Sequence, residues 1–291
     1  MPVGKMYCFC FISASSYQHI VSCFANFFKS PYAVFRGIFA AMYTLKKSLG
    51  QHFLKDETIS EKIVAALQEH PFHNLLEVGP GGGALTKHLL QLPNINFKAV
   101  ELDEEKIDFL KTAYPQLRDH LIHQSVLDMP PPFAEPFTVV GNFPYNISTQ
   151  IVFKMLHWKT QIESMVGMFQ KEVAQRLAAK EGSKIYGVTS VLTQVYFDVA
   201  YLFEVSEDAF TPPPKVKSAV IRLLPKKEIV PMKSDAKFTM LVKAAFGQRR
   251  KTVRNAVKPF FTAAVLKNAI FDKRAEQLSV ADFAALSFDM Q

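Results

Sequence analysis

From residue 56 onward, short apolar runs bounded by Gly, Pro and Asn alternate with stretches of helical periodicity. That alternation confines the chain to a mostly parallel sheet covered by helices on both faces. Residues 56–69 place Ile59, Ile63, Val64 and Leu67 at helical spacing, with Asp56 or Thr58 as cap and Pro71 past the end. A strand over 74–78 follows, then a glycine-rich turn and a helical pattern through Leu85, Leu89 and Leu90. Strands over 97–100, 120–126, 136–140 and 164–170 continue the series, with a helix from Ser148. Two later β-rich runs, 195–205 and 218–224, lie too close for a long crossover and suit an antiparallel pair at the sheet edge. After Pro225 the pattern turns helical, and 236–288 reads as several short helices. The expected architecture is a doubly wound α/β domain over 42–228 and a small α-helical domain over 229–291.

Residues 1–41 do not fit that pattern. They hold all three cysteines (Cys8, Cys10, Cys23), three basic residues and no acidic one. Ser, Gln, His, Asn and Lys interrupt every apolar run, so a cleaved secretory signal is not indicated. The segment reads as a targeting extension, a disordered tail, or upstream sequence ahead of a start at Met42, the last being favoured. From Met42 on there is no cysteine, which removes disulfides and thiolate metal sites and fits a reducing, cytoplasmic setting. No metal site is expected, and no run reaches the roughly 18 apolar residues of a membrane-spanning helix. A net charge of +8 and a pI near 9.2 favour an anionic partner.

The stretch "EVGPGGGAL" (77–85) closes the first strand. Gly79, Gly81 and Gly83 would let the backbone approach a ligand at a helix N-terminus, which implies a nucleotide-like cofactor. The spacing Gly79-x-Gly81-x-x-Ala84 equally fits a dinucleotide fingerprint, and such a stretch can be no more than a tight turn. Glu101 ends the second strand about 20 residues on, where a carboxylate can accept from both ribose hydroxyls. Asp128, after the third strand, can accept from an adenine amine, although lone Asp residues in loops are usually turn formers.

The fourth strand ends in "VVGNFPYNIS" (139–148). Methylating a planar exocyclic amine requires a nitrogen lone pair, delocalised into the ring, to be aimed at an electrophilic methyl. Two acceptors achieve this: the Asn142 amide oxygen and the Phe143 carbonyl, held out by Pro144, can take both N–H bonds. Tyr145 can stack on the base. A strand ending in an Asn-Pro turn is the plain alternative.

Together "SLGQHFL" (48–54), "EVGPGGGALT" (77–86), "GNFPYNIS" (141–148), "MFQKEVAQRL" (168–177), "FTPPPKVKSAVIRL" (210–223) and "FGQRRKTVRN" (246–255) resemble the ribosomal RNA adenine dimethyltransferases, over roughly 44–288. The nearest branch dimethylates two adjacent adenosines near the 3′ end of 16S rRNA. The resemblance implies a Rossmann-like class I methyltransferase fold and an S-adenosylmethionine site using His52, Leu54, Gly79, Gly81, Glu101, Asp128 and Asn142. It also implies that Tyr145 and Phe210 sandwich the target base. His52 stands where the family more often has Asn, and Phe143 where it more often has Leu.

Between Ala236 and Phe271 there are eight basic residues and no acidic one, including Arg249, Arg250, Lys251, Arg254 and Lys258. Such a run is often a solvated face. Flanking this site it suits phosphate contacts around the target, with Lys46, Lys47 and Lys55 on the other side. The expected partner is 16S rRNA in a small subunit or its precursor, with the adenine unstacked, and the protein is expected to be a monomer. The competing readings are a DNA adenine or protein glutamine methyltransferase, a 23S rRNA dimethylase, and a mainly non-catalytic assembly factor. Phe143 replaces the proline of the first group, "TPPPKV" and "GQRRKTVRN" favour the 16S enzyme over the second, and intact Glu101, Asp128 and Asn142 argue against the third.

Overall fold

The computed structural model describes residues 52–291, so the expectations placed on residues 1–41, Lys46 and Lys47 lie outside the described residues. The first described strand, β1 (Phe53–Leu54), is followed by helix α1 (Glu57–Gln68). Asp56 caps α1 by accepting from the Thr58 amide at 3.0 Å, and Glu57 places a negative charge in the first turn, where the helix dipole favours it. Ile59, Ile63, Val64 and Leu67 form the buried face.

Seven strands then build one sheet: β2 (Asn74–Val78), β3 (Asn96–Glu101), β4 (Leu121–His123), β5 (Phe137–Asn142), β6 (Ile162–Gln170), β7 (Phe197–Val205) and β9 (Ser218–Pro225). Their order is β4-β3-β2-β5-β6-β9-β7. The first five are parallel, while β9 runs antiparallel to β6 and β7 antiparallel to β9. All five residues of β2 are buried, as befits a central strand covered on both faces. The fold is thus a doubly wound, mostly parallel α/β sheet of Rossmann-like type, and strand order reverses direction at β2, between β3 and β5. The short β8 (Phe210–Thr211) pairs antiparallel with β1, outside this sheet.

The helices on the sheet are α2 (Thr86–Leu89), α3 (Glu104–Ala113), α4 (Ser148–His157), α5 (Lys171–Ala178) and α6 (Val188–Gln194). Two expected elements are shorter than their patterns. The strand expected over 120–126 stops at His123, because the Ser125 hydroxyl and carbonyl accept from the Leu127 and Asp128 amides and fold the chain into a turn. The expected strand start at Val195 is instead the end of α6, and β7 begins at Phe197.

Beyond β9 come α7 (Asp235–Gly247), α8 (Val253–Val257), several 3₁₀ turns and α9 (Val280–Phe288). Their apolar side chains form a second hydrophobic cluster, distinct from that of the sheet. It includes Tyr186, Val191 and Val195, so α6 packs with the C-terminal helices. Among the described residues no helix is long and apolar enough to cross a membrane.

Candidate active site

The glycine-rich turn, Glu101 and Asn142 all sit at the carboxyl ends of parallel strands, around the point where strand order reverses. Open α/β sheets bind ligands there. Gly79, Gly81 and Gly83 have φ of 69°, 56° and 79°, a left-handed conformation costly for residues with a side chain. At Gly83 space is also limiting, since a Cβ would lie 2.5 Å from the Tyr114 ring.

Glu101 braces this turn from the neighbouring strand. Its Oε2 accepts from the Gly81 amide at 3.1 Å, and its Oε1 accepts from the Leu102 and Asp103 amides at 2.9 and 3.1 Å. An ionised carboxylate offers about four acceptor positions, so one on Oε2 remains for a ligand hydroxyl. Beneath it lies Glu77, fully buried and accepting from the Thr86 hydroxyl at 2.7 Å. Burial, opposed by that hydrogen bond and reinforced by the Glu101 charge, pushes the Glu77 carboxyl up to about 8.

The end of β5 depends on two glycines that the sequence reading did not single out. Gly141 and Gly167 pair directly across β5 and β6. Phe143 lies two residues beyond Gly141 and therefore shares its face. Its ring folds back over the glycine pair and is 1% exposed. A Cβ at Gly167 would stand 2.2 Å from the ring, and one at Gly141 2.6 Å from it. The Phe143 amide donates to the Met168 carbonyl at 3.2 Å, and Phe169 packs edge-on at 5.0 Å between centroids. The signal in the sequence was a glycine inside each of two strand patterns, which marks close approach by another group.

With Phe143 anchored inward, Asn142 remains half-buried at the strand end. Pro144 then approaches the cofactor turn, its Cδ being 3.8 Å from where a Gly79 Cβ would stand. Tyr145 is half-buried, its hydroxyl hydrogen-bonded to Ser218 and its ring stacked on His52 at 5.6 Å and 29°. Burial raises the Tyr145 hydroxyl above its ordinary value, and the Ser218 bond opposes this.

The N-terminal segment closes over this region. His52 Nδ1 lies 2.9 Å from the Pro212 carbonyl, which can only accept, so Nδ1–H donates. Leu54 is buried and pairs with Phe210 in the β1–β8 ladder. Phe53, which the sequence reading passed over, lies 4.0 Å from the Cβ position of Gly81 and has the Lys106 ammonium 5.8 Å from its ring. Asp128 is exposed in the turn after β4.

Three residues expected at ligand contacts are engaged by the protein itself. Phe210 has no exposed surface and pairs with Leu54 in the β1–β8 ladder. Arg249 is exposed, and its Nη2 donates to the Lys184 and Tyr186 carbonyls. Arg254 pairs with Asp272 at 2.7 Å. Arg250, Lys251, Lys55 and Lys258 are exposed.

A family model described as ribosomal RNA adenine dimethylase matches residues 42–288. The chain is 50% identical over 246 residues to a protein of Cytophaga hutchinsonii named ribosomal RNA small subunit methyltransferase A, with 83% of this chain and 95% of the relative covered. A protein of the same name from Bacteroides thetaiotaomicron is 48% identical over 248 residues, covering 83% and 92%. Among solved structures, a dimethyladenosine transferase from Plasmodium falciparum superposes with a TM-score of 0.65 at 26% identity, covering 80% of this chain and 94% of that one. A 23S rRNA methyltransferase reaches 0.62 at 24% identity, covering 80% and 99%, a likeness that carries the fold alone.

Proposed function

Because the chain belongs to the ribosomal RNA adenine dimethylase family, we propose that it moves methyl groups from S-adenosylmethionine onto the N6 amines of two adjacent adenosines in the 3′-terminal hairpin of 16S rRNA. The product is N6,N6-dimethyladenosine, made during small-subunit biogenesis by a cytoplasmic monomer. The observation that carries this reading is the contact between the two motifs: the Gly79 turn and Pro144 of the "NFPY" stretch abut, so cofactor cradle and amine acceptors share one crevice.

The residues present fit S-adenosylmethionine. The left-handed glycine turn leaves backbone space, and Glu101 keeps one acceptor position for a ribose hydroxyl. Gly79, Gly81, Glu101 and Asp128 would hold the nucleoside, with Leu54 and the backbone near His52 closing the site. The bound cofactor supplies an electrophilic methyl carbon. The Asn142 side-chain oxygen and the Phe143 carbonyl accept the two N–H bonds of the target amine, which favours a pyramidal nitrogen whose lone pair, withdrawn from conjugation with the ring, points at the cofactor. Pro144 favours an extended backbone at Phe143, which keeps that carbonyl outward. Tyr145, fixed by Ser218 and His52, presents its remaining face to the adenine. The proton released as the amine is alkylated passes to water. We assign catalysis to 42–228 and RNA gripping to 229–291, with Arg250, Lys251 and Lys258 as phosphate contacts.

The test is transfer of labelled methyl to unmethylated small subunits, 23S rRNA and DNA, with Asn142→Ala alongside. Losing one such acceptor lowers the rate by about 100- to 1,000-fold. Small-subunit labelling that collapses in the variant supports the reading, whereas labelling of 23S rRNA or DNA in its place overturns the substrate assignment.

A further inference from the structure

Arg249 opens the "RRK" run, and although its side chain is 42% exposed, its guanidinium bonds to the protein itself. Nη2 donates to the carbonyls of Lys184 and Tyr186, the latter at 3.1 Å, and Nε lies 3.9 Å from the Glu276 carboxylate. The two carbonyls bracket Ile185, so the fork grips the loop joining α5 to α6 by its backbone. Two further ties act on the same loop. The Gly182 amide donates to the Glu276 carbonyl at 2.7 Å, and the Tyr186 ring is wholly buried, edge-on to Phe246 at 6.0 Å.

With those two carbonyls drawn inward and Tyr186 buried, the loop turns Lys180, Lys184 and Ile185 outward. Lys180 and Lys184 are exposed, and Ile185 between Lys184 and Tyr186 is 44% exposed. Arg250 and Lys251, the neighbours of Arg249 in sequence, are also exposed. Glu181 is the one acidic residue of residues 180–187. Arg249 therefore joins two separate basic segments into one surface with an apolar residue in its midst. Such a surface complements a ribose–phosphate backbone better than an acidic peptide, because the cations are spread over two segments and Ile185 can lie against a ribose or base face.

We propose that residues 180–187 form a second RNA-binding arm, continuous with Arg250 and Lys251 and stapled in place by Arg249 as a positioning residue. This rests on the function proposed above. It assigns the phosphate contacts to Lys180 and Lys184, and gives Arg249 an indirect role.

The experiment is equilibrium binding of the full chain to protein-free 16S rRNA and to small subunits across a salt series. Each phosphate contact contributes about 0.7 to 0.9 to the slope of log K against log salt. Lys180→Gln/Lys184→Gln should therefore lower that slope by about 1.4 to 1.8 on both targets, with S-adenosylmethionine affinity and melting temperature unchanged. Arg249→Ala should weaken binding similarly although its guanidinium meets no phosphate, and Arg249→Lys, which retains a single donor group for the carbonyls, should recover part of the loss. An unchanged slope in the double lysine variant overturns the proposal while leaving the methyltransferase reading intact. Weakening on subunits without weakening on protein-free rRNA means a protein partner and overturns it too. A wild-type chain that binds neither target removes both readings.

Discussion

Replacing Gly167 by alanine would place a methyl group in space that the Phe143 ring already fills. The new Cβ would stand 2.2 Å from Phe143 Cε2, and 2.9 and 3.0 Å from Cδ2 and Cζ. Carbon atoms in contact settle at about 3.5 to 4.0 Å, so the ring must retreat by roughly 1.3 Å. It has little freedom to do so, with Gly141 beneath it on the neighbouring strand and Phe169 edge-on at 5.0 Å. Overpacking of this kind costs about 1 to 3 kcal/mol. Phe143 is bonded to Asn142 and Pro144, so its displacement carries the two amine acceptors with it, and a misplacement of about 1 Å costs on the order of 100-fold in rate. Gly167→Ala should thus melt lower and transfer methyl about 100-fold more slowly in single turnover, while binding S-adenosylmethionine almost normally. Phe143→Leu/Gly167→Ala should recover much of both losses, because leucine withdraws the ring atoms that clash. The assay is a double-mutant cycle in melting and single-turnover rate, with an expected coupling above about 1 kcal/mol in stability. Additivity within about 0.5 kcal/mol, or normal activity in Gly167→Ala, would refute the view that the ring positions the acceptors.

Glu77 gives a pH signature. Its native carboxyl titrates at about 8 against 4.5 in the unfolded chain, so the folded state binds the extra proton between those values. Its contribution to stability is complete below 4.5 and is lost as pH rises through about 8. Glu77→Gln cannot ionise, so its melting temperature should fall less than that of the wild type between about pH 6 and pH 9, and parallel curves would count against the assignment. His52→Asn removes the stack on Tyr145, which at about 0.5 to 1.5 kcal/mol predicts a 2- to 12-fold rise in KM for RNA with S-adenosylmethionine affinity little changed. A loss confined to cofactor affinity would place His52 on the cofactor side alone. Glu101→Ala removes the brace of three backbone amides as well as the ribose acceptor, so calorimetry should find cofactor binding weakened by at least 10-fold, and unaltered binding would exclude Glu101 from the site.

Much of this architecture was legible because the parallel strands are continuous apolar runs. β2, β3, β5 and β6 lie where "NLLEV", "FKAV", "FTVV" and "SMVGMF" predict. β4 was overread because Ile122 and Val126 extend an apolar pattern across Ser125, whose side chain turns the chain instead. The placement of Glu101 and Asn142 at strand ends was legible, because one apolar run and its last residue suffice to fix it. What depends on register was not. That Gly141 faces Gly167 is decided by the pairing of two strands separated by a helix, and only that pairing shows why Phe143 can turn inward. The internal partners of the basic run were not legible for a related reason: Arg249 and Arg254 are visible in the sequence, but the Lys184 and Tyr186 carbonyls and Asp272 that engage them come from elsewhere in the fold. The burial of Phe210 is similar, since the strand it belongs to pairs with a segment distant in sequence.

The central claim is that this crevice dimethylates two adjacent adenosines of small-subunit rRNA. Its most direct test is the mass of the nuclease fragment carrying the 16S 3′-terminal hairpin, taken after unmethylated small subunits react to completion with the purified chain and S-adenosylmethionine. A gain of two methyl groups on each of the two adenosines, absent with Asn142→Ala, is the predicted result. An unmodified hairpin, or methyl groups on any other base, would contradict it.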